Sequence, residues 1–350
     1  MSPDPATIAL HADDAVPDAA GIAPPIHVAT TYDRSDQHGL VYRRSEHPTT
    51  ERLEAVLGAL EGGHAVVYPS GMAAVLAVLR HLRPPRIALP ADVYHGARKL
   101  VTSEAAAGTL QTVDPDGLGE GDVLWVETPS NPRAAITDIA AVVAEAAVRR
   151  TTVVVDSTLA TPVLQRPLDL GADLVLHSAT KFIAGHSDAM GGVLVAPDPA
   201  TAEALRHRRM EDGATPGSLD VWLALRGVRT LPLRLDRQSA TASTIARWLA
   251  TRVPVVWHPS LPTHPGHEVA VRQMRGFGGV VSFEMESGER AGAVVRRLGL
   301  FRMATSLGGV ESLAEWRRSV DDTAPEGLIR LSVGLEAPAD LVSDLENALG

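Results

Sequence analysis

The 350-residue chain contains no cysteine, which excludes disulfide bonds, thiolate catalysis and metal sites with cysteine ligands. Its 42 acidic residues outnumber its 32 basic ones, and the net charge of -10 argues against nucleic-acid binding as its main role. The longest apolar runs, such as 72–79, are far shorter than the roughly 20 residues that span a bilayer. The acidic segment 1–21 lacks the pattern of a signal peptide, so a cytoplasmic protein that binds no membrane is expected.

Lysine is also scarce, because the 32 basic residues include only Lys99 and Lys181. Lys181 lies among small polar residues, in the run from His177 to Asp188. A lysine amine in such surroundings suggests Schiff-base chemistry with a carbonyl substrate or with pyridoxal phosphate (PLP). Codon bias towards arginine explains the scarcity of lysine but not these neighbours. The spacing Ser178-x-x-Lys181 also fits serine acyl-enzymes, but their companion motifs are absent.

Short apolar or β-branched runs alternate with helical stretches in the first half of the chain, which predicts a mostly parallel sheet. The runs are continuous rather than alternating, as is typical of strands that are buried on both faces. The predicted strands are 65–68, 86–89, 122–127, 152–156 and 173–177. The predicted helices between or before them are 49–60, 72–82, 94–107 and 139–149. The fold class is therefore α/β.

Three regions are predicted along the chain. Residues 1–45 are rich in Pro, Asp and Ala, and Pro24-Pro25 blocks a helix, so this region is expected to be an extended arm. Residues 46–230 form a large domain that contains the predicted sheet. A helix over 218–235 is expected to be interrupted at Pro232, and further helix and strand patterns indicate a smaller α/β domain over 231–350.

A polar motif marked by Gly, Pro or Ser follows each predicted strand. Ligands of open α/β sheets bind beyond the carboxyl ends of the strands, so these motifs are expected to meet at one edge. They are Pro69-Ser70-Gly71-Met72, Asp92-Val93-Tyr94-His95-Gly96, Glu127-Thr128-Pro129-Ser130-Asn131-Pro132, Asp156-Ser157-Thr158 and Ser178-Ala179-Thr180-Lys181.

Individual motifs in this set have specific and ordinary interpretations. Ser70-Gly71-Met72 opens a helix, whose free amides can bind phosphate, although Ser70 also suits a simple N-cap. Asp156 ends an apolar strand and can hold a protonated pyridine nitrogen, or simply cap a turn. Arg330 can clamp a substrate carboxylate with two hydrogen bonds, or lie on the surface like other arginines.

A metal site is conceivable at three histidines that fall within ten residues, namely His258, His264 and His267. Neither the spacing of carboxylates nor a pair of histidines four residues apart on a helix supports such a site, and the sequence favours a loop. No metal is therefore expected.

Taken together, these motifs resemble the Cys/Met-metabolism family of PLP-dependent enzymes, from about residue 42 to 336. The match is most specific over 173–192, with Lys181 and Gly185-His186-Ser187-Asp188. The resemblance implies PLP fold type I, with a mostly parallel seven-stranded sheet in the large domain. It also implies a homo-oligomer, usually a tetramer of two dimers, in which the arm contributes to the neighbouring subunit's site.

The resemblance assigns roles to residues of this sequence. Lys181 bonds to the cofactor and moves the Cα and Cβ protons, and Tyr94 stacks on the cofactor ring and assists. The implied cofactor-binding residues are Tyr42, Arg44, Ser70, Gly71, Met72, Tyr94, Asp156, Thr158, Ser178, Thr180 and Lys181, with Tyr42 and Arg44 reaching the partner subunit's phosphate. The implied substrate-binding residues are Asn131, Thr305, Ser306 and Arg330.

The implied reaction is α,γ-elimination from cystathionine or a related γ-substituted amino acid, which gives a 2-oxo acid, ammonia and a thiol. A γ-replacement that joins a nucleophile to an O-acylhomoserine is the alternative. Thr305 stands where lyases and synthases of the family often carry Glu, and the segment between Leu313 and Arg330 is shorter than usual. Both departures concern the substrate. A non-catalytic protein with the same fold is disfavoured by the joint presence of Lys181, Asp156, Tyr94 and Arg330.

Overall fold

The computed structural model describes residues 3–16, 21–35 and 39–350. Its helices are α1 Pro5–His11, α2 Pro48–Glu61, α3 Gly71–Leu82, α4 His95–Ala106, α5 Ile139–Arg149, α6 Thr161–Leu164, α7 Pro199–Glu211, α8 Ser218–Val228, α9 Leu231–Leu249, α10 His267–Gln273, α11 Gly288–Arg297 and α12 Pro338–Leu349. Its strands are β1 His64–Tyr68, β2 Arg86–Ala88, β3 Gln111–Thr112, β4 Val123–Glu127, β5 Thr152–Asp156, β6 Leu174–His177, β7 Gly192–Ala196, β8 Val255–Trp257, β9 Val280–Glu284, β10 Arg302–Met303, β11 Leu313–Trp316 and β12 Leu328–Ser332. None of the described helices is long and apolar enough to cross a membrane.

The larger sheet has seven strands in the order β1-β7-β6-β5-β4-β2-β3. Strands β2 to β6 pair in parallel, and β7 runs antiparallel to both β1 and β6. The predicted mostly parallel, seven-stranded sheet is therefore confirmed. All five strands predicted from the sequence are present, and β3 and β7 were not predicted.

Both faces of the larger sheet are buried, which explains the continuous apolar runs. Successive side chains of a strand point to opposite faces. Val154 accordingly lies in the core on one side of the sheet, and Val155 lies in the core on the other side. Helices cover both faces, as expected for a parallel sheet.

The smaller sheet has five strands in the order β10-β11-β12-β9-β8 and packs its own apolar core with α9, α11 and α12. Strand β12 pairs antiparallel with β9 and with β11. In the register of β11 and β12, Glu315 lies directly opposite Arg330. The smaller α/β region expected in the C-terminal part of the chain thus places a carboxylate beside the candidate carboxylate clamp.

Two sequence-based expectations about helices are wrong in part. The arm is not extended throughout, because Pro5–His11 forms α1, which packs on α2 and α9. Buried Asp13 ties this end of the chain to the body through Arg52 at 3.0 Å and Arg229 at 3.2 Å. The helix predicted over 218–235 is broken before Pro232, which lies in the first turn of α9, where proline is tolerated.

Candidate active site

The carboxyl ends of β2, β4, β5 and β6 face one edge of the larger sheet, and β1 ends there too because it runs parallel to β6. A cavity of about 550 Å³ lies at this edge, between the two sheets. Of the residues predicted for the site, it is lined by Ser70, Gly71, Met72, Tyr94, Asn131, Asp156, Thr158, Ser178, Thr180, Lys181, Thr305, Ser306 and Arg330. The predicted convergence of the strand-end motifs is therefore present.

Lys181 lies half-buried in the turn after β6, with its amine directed to the smaller sheet's side of the cavity. Its Nζ donates a hydrogen bond of 3.0 Å to Ser306 Oγ. Burial lowers the pKa of this amine, and the positive charge of Arg330 lowers it further against the opposing effect of Glu315. A lower pKa makes the unprotonated amine, which is the nucleophilic and basic form, more available near neutral pH.

Gly308 and Ser306 have backbone conformations that bring their segment close to the Lys181 loop. Gly308 has a φ of +86°, and a Cβ there would lie 2.6 Å from the Phe182 amide nitrogen, so no other residue fits without a shift. Ser306 also has a positive φ, of 79°. This backbone conformation, which is uncommon outside glycine, turns the Ser306 hydroxyl to Lys181 and its carbonyl to Arg330.

Asp156 ends β5 in a buried position, and Thr158 fixes its side chain. The Oδ1 atom accepts hydrogen bonds from the Thr158 amide at 3.0 Å and the Thr158 hydroxyl at 2.6 Å. Burial raises the pKa of the Asp156 carboxyl, and the Thr158 hydrogen bonds oppose this effect. Within the described residues Oδ2 accepts no hydrogen bond, so one oxygen of a fixed carboxylate remains for a cationic group in the cavity.

An anion seat lies at the amino end of α3. The Ser70 side chain caps the helix by accepting from Ala73 N, which leaves the Gly71 and Met72 amides without an acceptor among the described residues. A Cβ on Gly71 would lie only 3.1 Å from Ser178 Oγ, so glycine is what allows this loop to approach. Two free amides at a positive helix end, next to a serine hydroxyl, suit a phosphate group.

Thr180 has a structural contact in addition to its place in the cavity wall. Its hydroxyl donates to the Gly191 carbonyl at 3.2 Å and accepts from the Gly191 amide at 3.0 Å. It therefore closes the loop that follows β6 while also lining the cavity. Ser178 is held in turn by its amide, which donates to Thr158 Oγ1 at 2.8 Å.

Tyr94 lies at the start of α4 with its ring partly exposed in the cavity. Glu127, a residue not proposed from the sequence, positions it. The Glu127 carboxylate accepts from Tyr94 N at 2.6 Å and from Asn131 N at 3.1 Å. Its burial and the nearby Asp156 charge raise the pKa of Glu127 well above the usual value. Glu127 lies opposite Asp156 in the sheet register, a relation that could have identified it once the strands were paired.

Arg330 is buried rather than on the surface, with 3% of its area exposed. It donates to Asn131 Oδ1 at 3.1 Å and to the Ser306 carbonyl at 2.7 Å, and it pairs with Glu315 Oε2 at 3.0 Å. Burial lowers the pKa of Arg330 to about 10. The predicted Asn131, Ser306 and Arg330 thus form one connected group beside Lys181, whereas Thr305 is exposed at the mouth of the cavity.

Two predicted cofactor residues, Tyr42 and Arg44, do not line the Lys181 cavity of their own chain. The Tyr42 side chain is exposed, and the Arg44 guanidinium lies 5.4 Å from the centre of the Tyr42 ring. Their expected role in a neighbouring subunit's site remains a prediction.

Each of the three histidines near residue 260 hydrogen-bonds to a neighbouring protein group. His258 Nδ1 lies 2.7 Å from Ser260 Oγ, His267 Nδ1 lies 2.8 Å from the Pro259 carbonyl, and His264 Nδ1 accepts from the Gly266 amide. Among the described residues, no group of three or more His, Asp or Glu side chains is suited to hold a metal ion.

Buried His258 should make the fold sensitive to acid. Burial lowers the pKa of His258 to about 4, below its value in the unfolded chain, so the unfolded chain binds more protons between these values. Its contribution to stability is present above the unfolded pKa and is lost as pH falls towards the folded pKa. We expect a loss of about 2 kcal/mol between about pH 7 and about pH 5.

Urea unfolding at these two pH values measures the effect. His258→Gln should remove about that part of the pH dependence, and exposed His207→Gln should leave it in place. An unchanged pH dependence in His258→Gln would contradict the assignment.

The cavity fits PLP by the chemistry of its groups. It combines an amine of lowered pKa, a buried carboxylate with one free oxygen, an anion seat at the amino end of α3, and an aromatic ring at its wall. These groups match an aldehyde, a pyridine nitrogen, a phosphate and a ring face, respectively. The fold and the site together define a PLP-dependent enzyme.

Comparison with known proteins gives the family. Residues 6–350 match the family described as Cys/Met metabolism PLP-dependent enzyme, and the chain belongs to it. Cystathionine gamma-synthase of Mycobacterium tuberculosis strain H37Rv is 42% identical over 99% of this chain and 97% of its own length. Putative cystathionine gamma-lyase of Streptomyces coelicolor is 43% identical over 88% and 83%. The crystal structure of metB from Corynebacterium glutamicum has a TM-score of 0.95 and 36% identity, over 99% of this chain and 98% of that one.

Proposed function

We propose that this PLP-dependent enzyme acts on an L-amino acid that carries a leaving group on Cγ. One observation carries the proposal: Ser306 contacts both Lys181 and Arg330. Its hydroxyl accepts a hydrogen bond from Lys181 Nζ at 3.0 Å, and its carbonyl accepts one from the Arg330 guanidinium at 2.7 Å. An amino acid whose carboxylate is bound by Arg330 therefore has its Cα and side chain next to a basic amine. Such a placement suits proton removal at Cα and then at Cβ by the same group.

The remaining residues of the site bind and orient. The amides of Gly71 and Met72 and the Ser178 hydroxyl would hold the phosphate of PLP, and Asp156 would pair with its ring nitrogen. PLP, when bound, supplies an electron-withdrawing ring that stabilises negative charge at Cα. Lys181 would anchor the cofactor and then move protons, and Tyr94 would supply an aromatic face beside it.

Elimination is the first form of the reaction. The bond from Cγ to its substituent breaks and both electrons leave with the substituent, which takes up a proton. Addition of one water then releases ammonia and leaves a 2-oxo acid. The sequence similarity to the putative cystathionine gamma-lyase supports elimination, with cystathionine or a close analogue as the substrate.

Replacement is the second candidate, and a specific observation favours it. At the mouth of the cavity the neutral, exposed Thr305 offers no negative charge to a distal ammonium group, which cystathionine carries and the acyl group of an O-acylhomoserine lacks. In replacement, a thiol forms the new bond to Cγ of an O-acylhomoserine and the carboxylic acid departs. The similarity over 99% of the chain to a cystathionine gamma-synthase supports this form.

A substrate panel tests the proposal. Cystathionine, homocysteine, methionine and two O-acylhomoserines are incubated with the PLP-loaded enzyme, with and without cysteine, and the products are identified by mass. Release of 2-oxobutyrate from cystathionine alone supports elimination. Formation of cystathionine only when an acylhomoserine and cysteine are both present supports replacement. The absence of turnover with every member of the panel would contradict the proposal.

Arg330→Lys should raise KM for the amino-acid substrate by about tenfold to a hundredfold, with a smaller change in kcat. Lysine keeps the charge but loses the planar pair of donors that binds a carboxylate at two points. Exposed Arg302→Lys is the matched control and should leave KM unchanged. An unchanged KM in a folded, PLP-loaded Arg330→Lys enzyme would show that the carboxylate binds elsewhere.

The proposal extends to the assembly. Tyr42 and Arg44 lie away from their own cavity, and we assign them to the phosphate of a neighbouring subunit in a homotetramer of two dimers. The arm over 1–45, the PLP-binding domain over 46–230 and the smaller domain over 231–350 are the proposed units. A cytoplasmic location accords with an enzyme of amino-acid metabolism.

A further inference from the structure

The segment between β11 and β12 places a second arginine on the wall of the Lys181 cavity. Arg317 begins the short 3-10 turn Arg317–Ser319 that follows β11. Its side chain is buried, with 7% of the residue exposed, and it lines the same cavity as Lys181 and Arg330. The proposed reaction leaves this side chain without a role.

Two guanidinium groups of the cavity wall share one carboxylate, that of Glu315. Glu315 Oε2 accepts a hydrogen bond from Arg317 Nη1 and also pairs with Arg330 Nη2 at 3.0 Å. The other carboxylate near Arg317 is that of Asp321, whose Oδ2 lies 4.0 Å from Arg317 Nη2. Since the proposed reaction uses Arg330 for the α-carboxylate, Arg317 is the guanidinium of this pair that remains for a second anion.

Two nitrogen atoms of the Arg317 guanidinium have no acceptor within hydrogen-bond distance among the described residues. Its Nη2 lies 4.0 Å from Asp321 Oδ2, too far for a hydrogen bond, and its Nε is buried without a partner among the described residues. His95, which also lines the cavity, adds no negative charge near Arg317. A guanidinium with free donors at the edge of a substrate cavity is suited to a carboxylate.

We propose that Arg317 determines substrate specificity by binding a second carboxylate, which is carried by the γ substituent. The inference rests on the proposed function, in which Arg330 binds the α-carboxylate. Arg330 Nη2 and Arg317 Nη1 contact the same oxygen of Glu315, so at hydrogen-bond lengths they lie at most about 6 Å apart. The second carboxylate is therefore expected only a few bonds beyond Cγ.

A purely structural role for Arg317 makes a different prediction. If Arg317 only held Glu315 and Arg330 in place, its loss would weaken the binding of every amino acid alike. A specificity role changes the ratio between two ligands that differ in one carboxylate. The ratio is therefore the quantity to measure.

Binding of two unreactive ligands to the PLP-loaded enzyme gives this ratio. L-2-aminopimelate and L-2-aminoheptanoate have the same carbon chain, and only the first ends in a carboxylate. Calorimetric titration should show that the wild-type enzyme binds L-2-aminopimelate about tenfold to a hundredfold more tightly. Arg317→Gln should bring the ratio close to one, whereas Arg318→Gln, next along the chain but outside the cavity, should keep it.

Two results would overturn the inference: no preference for L-2-aminopimelate in the wild-type enzyme, or a preference that persists in Arg317→Gln. Turnover separates this inference from the proposed function. The PLP-loaded wild-type enzyme should prefer O-succinyl-L-homoserine to O-acetyl-L-homoserine in kcat/KM, and Arg317→Gln should lose that preference while still converting the acetyl ester. Turnover of both esters with an unaltered ratio in the variant overturns the role of Arg317 alone. A lack of turnover of any γ-substituted amino acid overturns the proposed function.

Discussion

Lys181→Ala will lower kcat by at least about 10³-fold, because it removes both the anchor of the cofactor and the group that moves the two protons. No other side chain replaces it in this position. Ser306, its hydrogen-bond partner, is too weak a base, and Arg330 remains protonated at neutral pH even with its pKa lowered to about 10. Steady-state turnover of the best substrate of the panel, with PLP added in excess, measures the loss.

The other lysine of the chain supplies the control. Lys99 is exposed on α4, and it does not line the cavity. Lys99→Ala should therefore retain full turnover. A Lys181→Ala enzyme that keeps wild-type kcat, in a preparation verified by mass, would refute the assignment of Lys181.

Asp156→Asn will lower kcat/KM by about 10²- to 10³-fold and weaken the retention of PLP, since a buried cation loses its carboxylate partner. Asparagine can still accept from Thr158 through one oxygen, so the fold around β5 should persist. What changes is the atom at the position of Oδ2, which the proposed site uses for the ring nitrogen. Kinetics and the dissociation of PLP during dialysis are the measurements.

Glu127→Gln is a matched comparison at the neighbouring strand end. Glu127 is also a buried carboxylate, but its two oxygens accept from the Tyr94 and Asn131 amides. Its loss should therefore lower the melting temperature and have less effect on PLP retention than Asp156→Asn. If both variants lost PLP equally, Asp156 would not have the special role proposed for it.

Many of the site residues that sequence reasoning found lie shortly after a strand or at the start of a helix. Their positions follow from local patterns and from the rule that parallel strands end at one edge. This is why Lys181, Asp156 and Gly71 could be brought together before any coordinates were known. Arg330 was found through its motif, although its burial was not foreseen.

The features that were missed depend on contacts between distant parts of the chain. Glu315 becomes relevant only through its register with Arg330 on β12, and Arg317 only because its turn folds over the cavity. Strand β7 was overlooked because its role is set by antiparallel pairing on both sides, and β3 has only two residues. The interruption predicted at Pro232 lies before this residue, between α8 and α9. The difference arises because proline fits the first turn of a helix as well as it ends one.

Reduction of the PLP-loaded protein with borohydride, followed by peptide mapping, tests the central claim most directly. The visible absorption band of the lysine-bound cofactor should disappear, and one pyridoxyl group should be found on the peptide that contains Lys181. The absence of any label after incubation with PLP, or a label on Lys99 instead, would contradict the account.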